Sequence, residues 1–148
     1  VISDPRVGTQ VADEGKLNCM RIKLNSLFVD DQQKALDFYA DILGFKKSQD
    51  LPVGEFRWLT VASPEGGDAE LSLEPNVNPA AKTYQEALFE QGIPITAFEV
   101  DDLEYEFRRL SDLNVVFKTE PTNVGDVTIA VLVDTCGNLI QLYQPASE

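Results

Sequence analysis

The sequence contains no histidine. Serine and cysteine nucleophiles that depend on an imidazole base are therefore excluded, as is any metal centre that needs an imidazole donor. General acid–base work would fall to Glu, Asp, Tyr, Lys or water. Cysteine is almost as scarce: Cys19 and Cys136 are the two present. They cannot build a disulfide framework and do not have metal-type spacing, so a reducing cytoplasm is the simplest compartment. Basic residues number 12 against 25 acidic ones, a formal net charge of −13. Nucleic acid and anionic membrane surfaces both need clustered Lys and Arg, so the balance argues against either partner. Solubility is the simpler reason for such acidity, and a cationic ligand the more specific one. No apolar run approaches bilayer-spanning length. Residues 1–16 lack both the basic start and the apolar stretch of a secretory signal.

What the chain does have is apolar residues, at 43% of 148 positions, enough for one compact domain or two half-domains sharing a core. It also has a loose internal repeat. An offset of 71 residues brings Gly66 under Gly137, Glu70 under Gln141 and Leu71 under Leu142. The same offset aligns Val29-Asp30-Asp31 with Val100-Asp101-Asp102, Leu24 with Ile95 and Ile42 with Leu113. A fixed offset joining strand end, helix and turn–strand unit marks a duplicated module.

Residues 1–19 carry no periodic pattern and read as a mobile N-terminal arm, followed by a single domain over 20–148. The first module covers about 20–75. Strand 21–29 leads into a helix capped by Asp30 or Asp31 and ended by Gly44, and strands at 45–49, 56–62 and 69–74 follow. A linker helix occupies about 78–92, with Asn78 as cap and Pro79 in its first turn. The second module, about 93–145, repeats the pattern: strand 94–100, helix 102–113, then strands near 115–119, 127–133 and 138–144. The fold class is thus α+β, two βαβββ modules whose helices cover one face of a curved sheet and whose open faces close into a half-barrel cup. Alternation sends Leu71, Leu73, Ile140 and Leu142 under the helices, and Glu70, Ser72, Glu74, Leu139, Gln141 and Tyr143 into the cup.

Val29-Asp30-Asp31, Lys34-Ala35-Leu36-Asp37-Phe38-Tyr39, Leu43-Gly44-Phe45, Ala97 to Asp102 and Gly137 to Leu142 resemble the vicinal oxygen chelate superfamily of glyoxalases, bleomycin-resistance proteins and extradiol dioxygenases. The resemblance covers about residues 21–144. It implies the paired-module cup and often a homodimer. It also implies four metal-ligand positions, which fall here at Leu24, Glu70, Ile95 and Gln141. Metal-dependent members commonly have histidine at the first-strand positions; this chain has aliphatic groups. A catalytic divalent ion usually needs three protein donors, so no metal and no other cofactor is expected.

Each candidate has a plainer alternative. Glu70, desolvated in an apolar cup, would have a raised pKa and serve as base or cation anchor; otherwise it is a carboxylate paired with Lys or Arg. Gln141 would orient a ligand or hydrogen-bond Glu70. Tyr143, Phe28, Trp58 and Phe56 would supply aromatic walls or simply core packing, with Ser72, Leu24 and Ile95 completing the lining. Arg57 alternates with Phe56 and Trp58, so only one set faces the cup, and which one the sequence leaves open. The paired aspartates before the helices read as caps, and Cys136 as inert. The reading reached is a metal-independent binder of a small organic ligand, cationic in its most specific form. The alternatives are a glyoxalase-like lyase or isomerase with Glu70 as base, and a non-catalytic scaffold subunit.

Overall fold

The computed structural model describes residues 18–147, so nearly all of the expected N-terminal arm lies outside the described residues. Strand β1 (Leu24–Val29) runs into helix α1, which is α-helical over Gln32–Leu36 and winds into a π-helical segment over Asp37–Ile42. Strands β2 (Lys46–Val53), β3 (Phe56–Ala62) and β4 (Glu70–Pro75) complete the first module, and α2 (Pro79–Glu90) links it to the second. There β5 (Thr96–Glu99) and α3 (Leu103–Asp112) precede β6 (Phe117–Asn123), β7 (Val127–Val133) and β8 (Leu139–Pro145). Each module forms a four-stranded sheet, in the orders β1-β4-β3-β2 and β5-β8-β7-β6.

The helix starts follow from capping chemistry. Asp31 accepts from the Lys34 N–H at 2.9 Å and Asp102 from the Tyr105 N–H at 3.0 Å. Asp30 instead pairs with the Lys34 ammonium at 2.8 Å. The Asp31 and Asp102 contacts satisfy helix-end donors.

Leu27, Val29, Leu59, Val61 and Leu73 of the first sheet share one buried cluster with Leu132, Ile140 and Leu142 of the second, joined through Tyr39, Phe38, Leu103 and Leu110 of the helices. The two modules are therefore halves of one core. The π-helical winding matters here, because it lets consecutive residues Phe38 and Tyr39 both turn inward, at 2% and 0% exposure. Tyr39 crosses to the second module, stacks edge-on with Phe98 and donates its hydroxyl to Asp134 at 2.7 Å.

Asp134 is fully buried and also accepts from the Cys136 and Asn138 N–H groups and the Asn138 side-chain amide. The turn thus fixed docks on the end of β1: Asn138 donates to the Phe28 carbonyl at 2.8 Å, and Gln85 of α2 bonds both that carbonyl and the Cys136 carbonyl at 3.0 Å.

Register refines the repeat. In the first module Leu24 pairs with Glu70, whereas in the second Ala97, and not Ile95, pairs with Gln141. The helix caps keep the 71-residue offset, but the strand partners are displaced by two residues. Glu70 and Gln141 are consequently not equivalent in strand pairing, although both lie on concave faces.

Candidate functional site

Glu70 is placed by β4 at the lower end of the concave face, beside Leu24 of the parallel edge strand. Two neighbouring strands supply its partners. The β2–β3 ladder slips between Lys47 and Gln49, and this irregularity turns Ser48 and Gln49 toward the same carboxylate. Ser48 donates its hydroxyl to Glu70, the Gln49 amide donates to both carboxylate oxygens at 3.1 and 3.0 Å, and the Thr60 hydroxyl donates at 3.1 Å. Gln49 in turn accepts from the Trp58 indole N–H. Burial pushes the Glu70 carboxyl up, but the donors from Ser48, Gln49 and Thr60, with the charge of Lys23, outweigh it and hold the group below its ordinary value. The direction is opposite to the one expected from desolvation alone, because the cup floor around Glu70 is polar and made of donors.

A cleft of about 400 Å³ opens at this carboxylate, walled by Ser26, Ala62 and Phe45 from the first module and by Ile95, Ala97 and Phe98 from the second. Glu70 and Ile95 are thus brought to one cleft, and Leu24 is the cross-strand neighbour of Glu70. Gln141 does not line this cleft; its strand partner Ala97 does. Gln141 and Tyr143 are half-buried on the concave face of the second sheet, opposite Val131 and Ile129. Neither side chain hydrogen-bonds among the described residues, so the direct bond from Gln141 to Glu70 is not formed.

The open question about β3 is resolved. Phe56 and Trp58 take the concave face, whereas Arg57 points to α1 and binds Asp50 at 2.7 and 2.9 Å and Gln33 at 2.8 Å. Trp58 and Ser72 are buried on the floor, at 2% and 1% exposure, and Phe28 stands at the upper end of the face. Burial and the carboxylates of Asp134 and Asp30 push the Cys136 thiol up to about 12, which makes it unreactive.

Ser48, Gln49 and Thr60 are the functional neighbours that sequence reasoning missed. The slip in β2 has no local signature, and a polar residue in a strand is ordinary; the only signal is that Gln49 and Thr60 are polar where their strands turn inward.

The four positions where metal-dependent relatives place ligands hold Leu24, Glu70, Ile95 and Gln141. This donor set does not fit a divalent ion. Two positions offer only hydrocarbon and one a neutral amide, which leaves a single carboxylate where a bound ion usually needs three protein donors. Among the described residues no group of three or more His, Cys, Asp or Glu side chains is arranged to hold a metal.

Two βαβββ modules sharing one core, with concave faces lined by side chains of mixed chemistry, define a paired-module cup protein. The model of the Glyoxalase/Bleomycin resistance protein/Dioxygenase superfamily matches residues 21–142, and the chain belongs to that superfamily. The uncharacterised protein YurT of Bacillus subtilis (strain 168) is 54% identical over 126 residues, which is 84% of this chain and 99% of YurT. TnmS3, an antibiotic binding protein from Streptomyces sp. CB03234, is 30% identical with a TM-score of 0.71, over 88% of this chain and 100% of its own. UcmS2 is 27% identical with a TM-score of 0.74, over 85% of this chain and 98% of its own.

Proposed function

We propose that the protein binds a small organic molecule in its cup without a metal ion, with Glu70 anchoring a cationic group. The observation that carries this reading is the ring of donors around Glu70. They hold the side chain ionised and oriented at the mouth of a cleft, which suits an electrostatic anchor. The same donors count against the lyase or isomerase reading, because a carboxylate held below its ordinary value is a weak proton acceptor at neutral pH. Likeness to TnmS3, an antibiotic binding protein, supports a ligand of drug size. Gln141 and Tyr143, free of hydrogen bonds among the described residues, are proposed to meet the part of the ligand that reaches the second sheet.

The working form is proposed to be a homodimer. Met20 and Ile22 expose apolar side chains, at 103% and 88%, on the approach to edge strand β1, a surface suited to pairing with a second copy. A cytoplasmic setting is proposed from the free thiols Cys19, exposed, and Cys136, buried. No helix among the described residues is long and apolar enough to cross a membrane.

A thermal-shift screen of cationic, neutral and anionic drug-sized compounds on chelator-treated protein tests the proposal. Cations should raise the melting temperature, and Glu70→Gln should remove that rise while leaving the unliganded melting temperature within a few degrees. Hits that are anionic, or that need added Ni, Zn, Mn or Fe, would overturn it.

A further inference from the structure

The donors around Glu70 are shared unevenly between its two oxygens. Oε1 receives the Ser48 hydroxyl, the Gln49 amide at 3.1 Å and the Thr60 hydroxyl at 3.1 Å. Oε2 receives the Gln49 amide alone, at 3.0 Å. A carboxylate oxygen offers about two acceptor positions, so Oε1 is filled and Oε2 keeps one. All of these donors are neutral. Lys23 adds its charge but no hydrogen bond, so among the described residues no contact partner cancels the negative charge of Glu70.

The Gln49 amide is not free to turn round and change this arrangement. Its oxygen accepts from the Trp58 indole N–H, a group that can only donate. Its nitrogen faces the ionised Glu70, a group that can only accept. Trp58 and Gln49 are 2% and 9% exposed, which leaves little water to offer either an alternative partner. A ligand therefore meets a nitrogen at Gln49 and finds its acceptor at Oε2 of Glu70. The rest of the cleft adds no charge: Glu70 is the one charged residue among the described residues that line it. Phe45, Phe98, Ile95 and Ala62 give it apolar walls. Its volume of about 400 Å³ suits a compact organic body.

Resting on the reading of Glu70 as a cation anchor, we propose that the site selects a protonated amine with at least one N–H on an aromatic or alkyl body. It rejects guanidinium and quaternary ammonium groups carried on the same body. One N–H fills the open position on Oε2. A guanidinium presents two parallel N–H groups to two oxygens, and Oε1 has no place for the second. A quaternary ammonium brings the charge without a hydrogen bond to give. Ser48 and Thr60 thus act as specificity residues by filling Oε1, and Trp58 acts as a positioning residue through Gln49.

A matched series of phenethyl compounds tests this at neutral pH on the chelator-treated full chain. Affinity is read from the shift of the Gln49 side-chain amide resonances in NMR titrations. Phenethylammonium and its N,N-dimethyl form, which keeps one N–H, should bind alike. Phenethyltrimethylammonium should bind about tenfold more weakly, and phenethylguanidinium several-fold more weakly. The double variant Ser48→Ala with Thr60→Val leaves Oε1 with the Gln49 amide alone, and there the guanidinium should draw level with the amine or pass it. Equal binding of the quaternary compound or the guanidinium to wild type, lost in Glu70→Gln, would overturn this selectivity and leave the anchor standing. A double variant of unchanged circular dichroism in which the guanidinium gains nothing would also overturn it. Cation binding that survives Glu70→Gln, or no cation binding at all, would end the anchor reading and this inference with it. Should the double variant fail to fold, the wild-type series decides alone.

Discussion

At the scale of single residues, donors and burial compete, and Glu70 shows the donors winning. Its folded pKa lies below the ordinary value of 4.5, so the bonds from Ser48, Gln49 and Thr60 stabilise the fold fully at neutral pH. That contribution is lost only as acid carries the pH down through the lowered value. Affinity for a cation held at Glu70 should accordingly stay level between about pH 7 and about pH 5, where a carboxylate raised by desolvation would already be losing its charge. Carboxyl NMR titration of wild type and Glu70→Gln checks this, and a midpoint above the ordinary value would contradict it. Gly137 illustrates a different residue-scale constraint. Its φ is +99°, and an added Cβ would stand 2.9 Å from the Gln85 amide nitrogen that ties α2 to the module junction. Gly137→Ala should cost about 1–3 kcal/mol through backbone strain, before any displacement of Gln85. Thermal unfolding measures the loss.

At the scale of elements, the helices and strands were legible in the sequence wherever local chemistry decides them. Asn78 caps its helix as read, the caps left open between Asp30 and Asp31 and between Asp101 and Asp102 fall to Asp31 and Asp102, and the alternation in β4 and β8 sends Leu73, Ile140 and Leu142 to the core. What was not legible depends on partners distant in the chain. The slip in β2, the two-residue displacement between Leu24↔Glu70 and Ala97↔Gln141, and the π-helical turn all arise from packing between elements. No local pattern encodes them. They are also what assembles the site: the slip delivers Ser48 and Gln49 to Glu70. The π-helical turn has its own test. It aims Tyr39 at Asp134, so Tyr39→Phe deletes a 2.7 Å bond to a fully buried carboxylate. The expected loss is about 1.5–3 kcal/mol, as for other hydrogen bonds to charged groups, read from the urea unfolding midpoint. A loss near zero would mean that the junction does not depend on this contact.

At the scale of the whole molecule, one core under both sheets makes the modules inseparable, and the concave faces point away from it. The exposed apolar approach to β1 makes a prediction of its own. Ile22→Asp should shift the protein from dimer to monomer in light scattering, because a charge would be placed on the proposed pairing edge. The formal charge of −13 should make association of a cation at the proposed Glu70 anchor weaken as salt rises.

The most direct test of the central claim is calorimetric titration of chelator-treated, metal-free protein with a cationic ligand from the thermal-shift screen. The account predicts saturable binding of the same affinity before and after chelation, lost in Glu70→Gln. Binding that vanishes on chelation and returns with stoichiometric Ni, Zn, Mn or Fe would contradict it.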